Sequence, residues 1–447
     1  MGEVDKIMTQ KPDIQAFKDC KFGLFIHYGL YSIQGEGEWA MYFTKTGYDE
    51  YKKLAEQPLG EKFNAEEIIR LAKSFGCRYA VLTTRHHDGY CLFDSKYSID
   101  EFTSTKTAAK RDFVKEYLDA CHKENFYAGV YYSPLDFRNP ASFVPGIFQK
   151  EAKEMVEQCH KQVEELMTNY GRVDLLWYDG GEDYIPGMNV PDHVHSAEDI
   201  LEYKKNPPFA GFWNAEELNN KVREWQPGIV INNRFGNKQI GDYVTPEKQI
   251  GEYNVEKAWE TCECVATSWG WVANDTMKTY RKILQTLVMV VTGGGNLLLN
   301  VAPKADGTFE QEQIDRLQKL GRWLEKYGES IYETDGGPIR NGVWGGMTHK
   351  GNNAYIHVLE WVKDKYTIAA PESKLLKVTA LNAELDYEIK DDKLTFSVSE
   401  EDMEKSDVVI KLEFSEDVEK VYAPYSEAEL TVDLGCDNDD KAINLGK

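Results

Sequence analysis

Positive charge is scarce in this chain: 52 Lys and Arg stand against 75 Asp and Glu, a formal net charge of −23 over 447 residues. So acidic a surface repels phosphate backbones and anionic lipid, which argues against nucleic-acid and membrane-surface binding. No run of about 18 apolar residues occurs, so no segment reads as a membrane span. The first 15 residues lack the apolar core of a signal peptide, which predicts a cytoplasmic protein as written, or a secreted or periplasmic one whose leader has been removed. Eight cysteines (Cys20, Cys77, Cys91, Cys121, Cys159, Cys262, Cys264, Cys436) are scattered with no C-x-x-C pair. A chain this long needs no disulfide framework, so buried free thiols are expected, Cys262-Glu263-Cys264 being the one place where a metal or redox pair could form. No Gly-rich loop opens a helix, which removes the main support for a nucleotide-binding fold. Internal repeats and low-complexity tracts are absent.

What is present is an ordinary globular composition, 42% hydrophobic and 28% charged, with a rich aromatic share of 12%. The length suits two or three domains, or one large barrel with an appendage. Short β-branched or aromatic runs recur at residues 22–27, 79–87, 127–133, 173–179, 228–234, 242–247, 266–271 and 296–303. Helical patterns lie between many of them. In 64–75, Ile68, Leu71, Ala72 and Phe75 share a face, with Asn64 and Glu67 placed as N-cap and N3. In 148–170, Met155, Cys159, Val163, Leu166 and Tyr170 do the same, and 276–291 and 309–327 are two more. Alternating strand and helix predicts a parallel sheet, and eight strand candidates predict a (β/α)8-like TIM barrel, α/β in class, over residues 1–336. From about Gly337 helical periodicity ceases. Residues 354–359, 394–398 and 408–414 alternate apolar and polar, and Asp391-Asp392 marks a hairpin turn, so 337–447 is predicted to be an antiparallel β-sandwich domain. The polar end from Cys436 is expected to be disordered.

The strand candidates finish in His27, His86-His87, Tyr131-Tyr132, Asp179, Asn233-Arg234 and Glu247. Barrel enzymes gather catalytic groups at these C-terminal tips, and a purely structural barrel has no reason to collect so many polar ones. The three histidines allow two readings. Barrel metallohydrolases want two histidines spaced by one residue after the first strand, and here His27 stands alone, so no metal site is predicted. Neutral imidazoles both donate and accept, which suits a ligand dense in hydroxyls such as a sugar. Asp179 before Gly180 could be an ordinary turn residue. A second carboxylate at another tip, Glu247, changes that balance, because two carboxylates across a barrel mouth are what glycoside hydrolysis needs. Spacing does not assign the two roles.

Taken in order, Lys-Phe-Gly-Leu-Phe-Ile-His-Tyr-Gly (21–29), Thr-Arg-His-His-Asp-Gly-Tyr (84–90), Gly-Val-Tyr-Tyr-Ser (129–133), Leu-Trp-Tyr-Asp-Gly (176–180), Asn-Asn-Arg-Phe-Gly (232–236), Trp-Glu-Thr-Cys (259–262) and Gly-Gly-Asn-Leu-Leu-Leu-Asn-Val-Ala-Pro (294–303) resemble the motif set of glycoside hydrolase family 29, the α-L-fucosidases. The resemblance runs from about residue 21 to 332. It implies a (β/α)8-like barrel with a C-terminal β-sandwich and a retaining double displacement on terminal α-L-fucosyl linkages through a covalent fucosyl-enzyme intermediate. It also implies roles. Asp179 matches the nucleophile. His27, Glu38, Trp39, His86, His87, Tyr131, Trp177 and Arg234 match positions that hold fucose, and Trp269 matches the aromatic wall near its methyl group. The acid/base varies in place within the family; Glu247 is the position matched to it, Glu260 is the main rival, and Asp242 and Glu252 stand behind. The chain departs from the common pattern at Tyr28 and Ala40 and in a long stretch, 182–226.

The expected partner is a fucosylated oligosaccharide or glycoconjugate, with no cofactor, no metal, no nucleic acid and no membrane. An enzyme of the family acting on a related galacto-configured sugar is the alternative within the class. A catalytically silent carbohydrate-binding barrel is the alternative outside it. The sequence specifies no oligomeric state.

Overall fold

The computed structural model describes residues 11–142, 145, 148–182 and 211–432. Most of the long stretch 182–226, together with Cys436 and the polar end, lies outside the described residues. The remaining seven cysteines are buried free thiols.

The strands of the first unit are β1 (Phe22–Ile26), β2 (Tyr79–Arg85), β3 (Tyr127–Tyr132), β4 (Leu175–Tyr178), β5 (Val230–Ile231), β6 (Glu260–Cys264) and β7 (Asn296–Val301), and they form one parallel sheet in the order β5-β4-β3-β2-β1-β7-β6. Every residue of β1, β2, β4, β6 and β7 is buried. Helices cover the outer face, as a parallel sheet requires. They are α1 (Ala65–Ser74), α2 (Phe113–Lys123), α3 (Gln149–Asn169), α4 (Ala215–Trp225), α5 (Tyr280–Thr292) and α6 (Gln311–Tyr327). Their starts are fixed locally. Asn64 Oδ1 accepts from the Glu67 amide at 3.1 Å, and Asp112 Oδ1 accepts from the Lys115 amide at 2.8 Å, each satisfying a donor that the first helical turn leaves free.

Two of the expected strands need correction. The run at 242–247 is not a regular strand. It crosses the gap between β5 and β6 as an irregular segment, with parallel bridges Asn232↔Tyr243, Val244↔Trp259 and Glu247↔Cys262. Pro246 has no amide to give a ladder, which breaks regularity, yet its carbonyl still accepts from the Cys262 amide at 3.2 Å. This segment sets the sheet edges side by side and carries Glu247 up to the mouth. The run at 266–271 is a loop, and the strand lies earlier, at β6, in Glu-Thr-Cys-Glu-Cys. That string looks too polar for an interior, but its carboxylates are satisfied: Glu263 accepts from Lys278 Nζ at 3.1 Å, and Glu260 accepts from Trp177 Nε1 at 2.9 Å and from Tyr79 Oη at 2.5 Å.

Beyond the barrel, β8 (Gly345–Lys350), β9 (Asn353–Val358), β10 (Tyr366–Ala369), β11 (Leu375–Ala380), β12 (Leu385–Lys390), β13 (Lys393–Val398) and β14 (Val408–Phe414) make two antiparallel sheets. Asp335-Gly336, β8, β9, β14 and β11 form one; β10, β13 and β12 form the other. Ile356, Val358, Ile410 and Leu412 from the first share a core with Ile368, Leu394 and Phe396 from the second, separate from the core under the barrel. The hairpin at Asp391-Asp392 is present, with Lys390↔Lys393 in register and both turn residues at positive φ, 52° and 55°, as a type I′ turn demands. Arg281 and Gln285 of α5 tie the two units together by donating to the Leu359 carbonyl, each at 3.2 Å.

Candidate active site

The strand tips meet around a cavity of about 210 Å³. At roughly 30 Å³ per water that is room for about seven waters, or one sugar ring, not a chain of them. His27, Glu38, Trp39, His86, His87, Tyr131, Trp177, Asp179, Arg234, Glu247 and Trp269 all line it. Glu260, Asp242 and Glu252 do not. Asp242 is held on the outer side by Arg223 at 2.8 Å and Glu252 is exposed.

Each group reaches the mouth for a local reason. His27 leaves β1 with its Nδ1 2.7 Å from Asn300 Oδ1 of β7. Adjacent strand residues ordinarily point to opposite faces, yet His86 and His87 both face inward. The β2–β3 register slips between Thr83 and Arg85, and this irregularity turns the end of the strand. The His86 ring then lies parallel to Tyr131, 5.5 Å between centroids, while His87 Nδ1 meets Ser133 Oγ at 2.5 Å and its Nε2 lies 3.5 Å from Asp179 Oδ2. Burial pushes both imidazoles down, His27 to about 3 and His87 to about 4, so they stand neutral, each able to donate and accept.

Asp179 follows β4 directly. Tyr131 Oη donates to its Oδ2 at 3.0 Å and Arg234 Nη1 to its Oδ1 at 2.9 Å. Burial raises the carboxyl, but Arg234, His87 and these hydrogen bonds outweigh it and hold the group below the usual carboxylate value, so it is ionised. Arg234 Nη1 also donates to Glu247 Oε2 at 2.9 Å. One nitrogen thus joins both carboxylates, placing the two oxygens less than about 6 Å apart, compatible with the spacing of retaining glycosidases. Trp269 Nε1 donates to Glu247 Oε1 at 3.2 Å, and its ring stands 5.2 Å from that of His27. Glu38 accepts from the Gly270 amide at 2.7 Å, which fixes the loop carrying Trp269. Trp39 packs edge-on against His87 at 5.1 Å.

Glu260 lies beneath the floor, fully buried, bound to Trp177 and Tyr79; burial pushes it up to about 7. The cavity also takes in residues the sequence reading missed, chiefly Glu182 and Cys262. In the sequence Cys262 is half of a Cys-x-Cys pair and the end of Trp-Glu-Thr-Cys, and neither pattern marks it as a cavity residue. Glu182 sits on a two-residue bridge that leaves no periodic signal. His86, His87 and Asp179 bring ligand atoms within 4.8 Å of one another, a set able to hold a cation, although Asp179 is already paired with Arg234. A wider groove, about 890 Å³ between α3 and α4, gathers none of these groups. No helix among the described residues is long and apolar enough to cross a membrane.

A parallel barrel with two close carboxylates and neutral imidazoles around a pocket for one sugar defines a glycoside hydrolase. The sequence profile described as Alpha-L-fucosidase matches residues 3–329, so the chain belongs to the α-L-fucosidase family. It is 26% identical over 383 residues to the alpha-L-fucosidase of Dictyostelium discoideum, covering 78% of each chain. Its fold matches alpha-L-fucosidase isoenzyme 1 from Paenibacillus thiaminolyticus with a TM-score of 0.76 at 29% identity, over 91% of this chain and 100% of the other. It also matches a GH29 alpha-L-fucosidase from Bacteroides thetaiotaomicron, trapped as a covalent intermediate in complex with 2-fluoro-fucosyl fluoride, with a TM-score of 0.76 at 27% identity over 90% and 96% of the two chains.

Proposed function

We propose that this protein is a retaining exo-α-L-fucosidase that removes terminal α-L-fucosyl residues from oligosaccharides or glycoconjugates. The observation that carries the reading is the Arg234 bridge, which sets Glu247 beside an ionised Asp179 on one small cavity. Asp179 attacks the anomeric carbon while Glu247 gives a proton to the glycosidic oxygen; the C–O bond to the aglycone breaks and an ester to Asp179 forms. Water then attacks the same carbon, its proton passes to Glu247, and the ester bond breaks to release fucose with its configuration retained. His27, His86, His87, Tyr131 and Arg234 meet the sugar's hydroxyls, and Glu38 and Trp39 complete the wall. Trp177 and Trp269 offer apolar faces to the ring and its methyl group. Glu247 fits the acid/base role better than Glu260, because it reaches the cavity and Glu260 does not.

In this reading residues 1–336 are the catalytic unit, and the chain from 337 onward is an accessory sandwich, supported by the two separate cores. The seven buried free thiols suit a reducing, cytoplasmic setting.

The test is a panel of aryl fucoside, fucosylated oligosaccharide and aryl galactoside, with a 2-fluoro fucoside as label. Turnover of the fucosides and labelling of the peptide containing Asp179 are expected. Faster galactoside cleavage would move the substrate to a related sugar, and binding without turnover of any of them would make the barrel a silent sugar-binding module.

A further inference from the structure

Four carboxyls line the cavity, and Glu182 is the one to which neither the double displacement nor the fucose-holding wall assigns a role. Glu182 lies three residues past Asp179. Gly180, at φ 76°, turns the chain sharply there: a Cβ would come within 2.7 Å of Leu135 Cδ1 and 3.1 Å of His87 Cε1. The chain then pairs Gly181↔Phe235 and Glu182↔Gly236 in parallel. Asp179 and Arg234 stand at the ends of their strands. The Glu182–Gly236 pair lies beyond both along the chain, and Glu182 lines the cavity from there. The charges around Glu182 agree: Asp179 and Arg234 on the inner side, and Lys238, an exposed residue, on the other. Among the described residues the side chain finds only its own amide as a hydrogen-bonding neighbour.

We propose that Glu182 contacts the aglycone sugar directly and sets specificity for it, donating a hydrogen bond from its carboxyl to a hydroxyl of the residue to which fucose is attached. Burial and the neighbouring charge of Asp179 push this carboxyl up to about 7, so it carries its proton in mildly acidic solution. An ionised carboxylate could only accept there, and it would stand against the charge of Asp179. The proposal rests on the hydrolytic reading above, and wild-type turnover of an aryl fucoside tests that reading separately from every Glu182 variant.

The experiment compares Glu182→Ala and Glu182→Gln on an aryl fucoside and on a fucosylated disaccharide. Glutamine keeps a donor and the same shape but cannot transfer a proton. Glu182→Ala should raise KM for the disaccharide roughly 5- to 10-fold, the range of one neutral hydrogen bond, and leave kcat/KM for the aryl fucoside within about 2-fold. Glu182→Gln should recover most of the disaccharide loss, and azide should give no fucosyl azide with either variant. Equal losses on both substrates would overturn the proposal in favour of a structural role. Failure of glutamine to rescue would remove the donor role, and azide rescue would make Glu182 the general acid. Wild-type behaviour of Glu182→Ala on the disaccharide would remove it from the site.

Discussion

Glu260 grips Trp177 from below: the indole Nε1 donates to Glu260 Oε1 at 2.9 Å, and the fully buried carboxyl has Tyr79 Oη on its other oxygen. The bond fixes the ring over which the Arg234 guanidinium lies, 4.7 Å from the centroid, and Arg234 in turn holds both carboxylates of the site. Glu260 therefore reaches the site only through its bond to Trp177.

Its raised pKa has a definite consequence for stability. Folding lifts the Glu260 carboxyl from an ordinary value near 4.5 to about 7, so between those pH values the folded state binds the proton that the unfolded chain has lost. The stabilisation is fully present below about pH 4.5 and is lost as pH rises through about 7, amounting to at most about 3 kcal/mol. Glu260→Gln, a neutral isostere, should fold without this dependence. Its Tm relative to wild type should therefore rise between pH 5 and pH 8. A parallel pair of Tm–pH curves would show that Glu260 does not titrate in this window.

Asp179→Asn should abolish nearly all turnover and leave the fold intact. An amide cannot form the glycosyl ester, and loss of a nucleophile typically costs several orders of magnitude in rate, roughly 5 kcal/mol or more. Arg234 keeps Glu247 as a partner, so no charge is stranded by the substitution. Circular dichroism and Tm near wild type, with residual kcat below about a thousandth, are the expected results. Near-normal turnover would place the nucleophile elsewhere.

Much of this site was legible because a parallel barrel converts sequence into geometry. A hydrophobic run that ends in His27, His86 or Asp179 places that residue at one common mouth, wherever it lies in the chain. The Asp391-Asp392 hairpin was legible for a similar reason, since few residue pairs tolerate two positive φ angles. What escaped was structure without a period. Strand β6 reads as polar because Glu260 and Glu263 are buried with partners from distant elements, Tyr79, Trp177 and Lys278, that no local pattern reveals. The 243–247 segment is irregular at Pro246, and Glu182 rests on a pairing of two residues, too short for any alternation to show.

Metal removal gives a further check. His27 and His87 reach the cavity bound to Asn300 and Ser133 and suited to a sugar's hydroxyls, so exhaustive EDTA treatment should leave kcat unchanged. Excess zinc should instead inhibit in competition with substrate, because His86, His87 and Asp179 lie close enough to chelate it at the nucleophile's expense. Activity lost to EDTA and restored by zinc or calcium would turn the histidines into ligands of a catalytic ion.

The general acid can be separated from the positioning carboxyl by leaving-group dependence. A proton matters most when the leaving group is poor, and an activated aryl group departs without one. Glu247→Ala should therefore cripple cleavage of natural fucosyl linkages by about 100-fold or more while costing the aryl fucoside much less at its first step. The fucosyl-enzyme then accumulates, because no base activates water. Azide needs no deprotonation, so it should resolve the β-linked intermediate by attack from the face opposite the Asp179 ester and yield an α-fucosyl azide. Glu260→Ala should behave differently. Removing the support of Trp177 disturbs the Arg234 bridge itself, so both substrates should slow together and azide should rescue neither. The structure favours this assignment because Glu247 is on the cavity, held by Arg234 at 2.9 Å and Trp269 at 3.2 Å, whereas Glu260 has no path to the glycosidic oxygen past the indole it supports. Azide rescue of Glu260→Ala and not of Glu247→Ala would reverse the two roles.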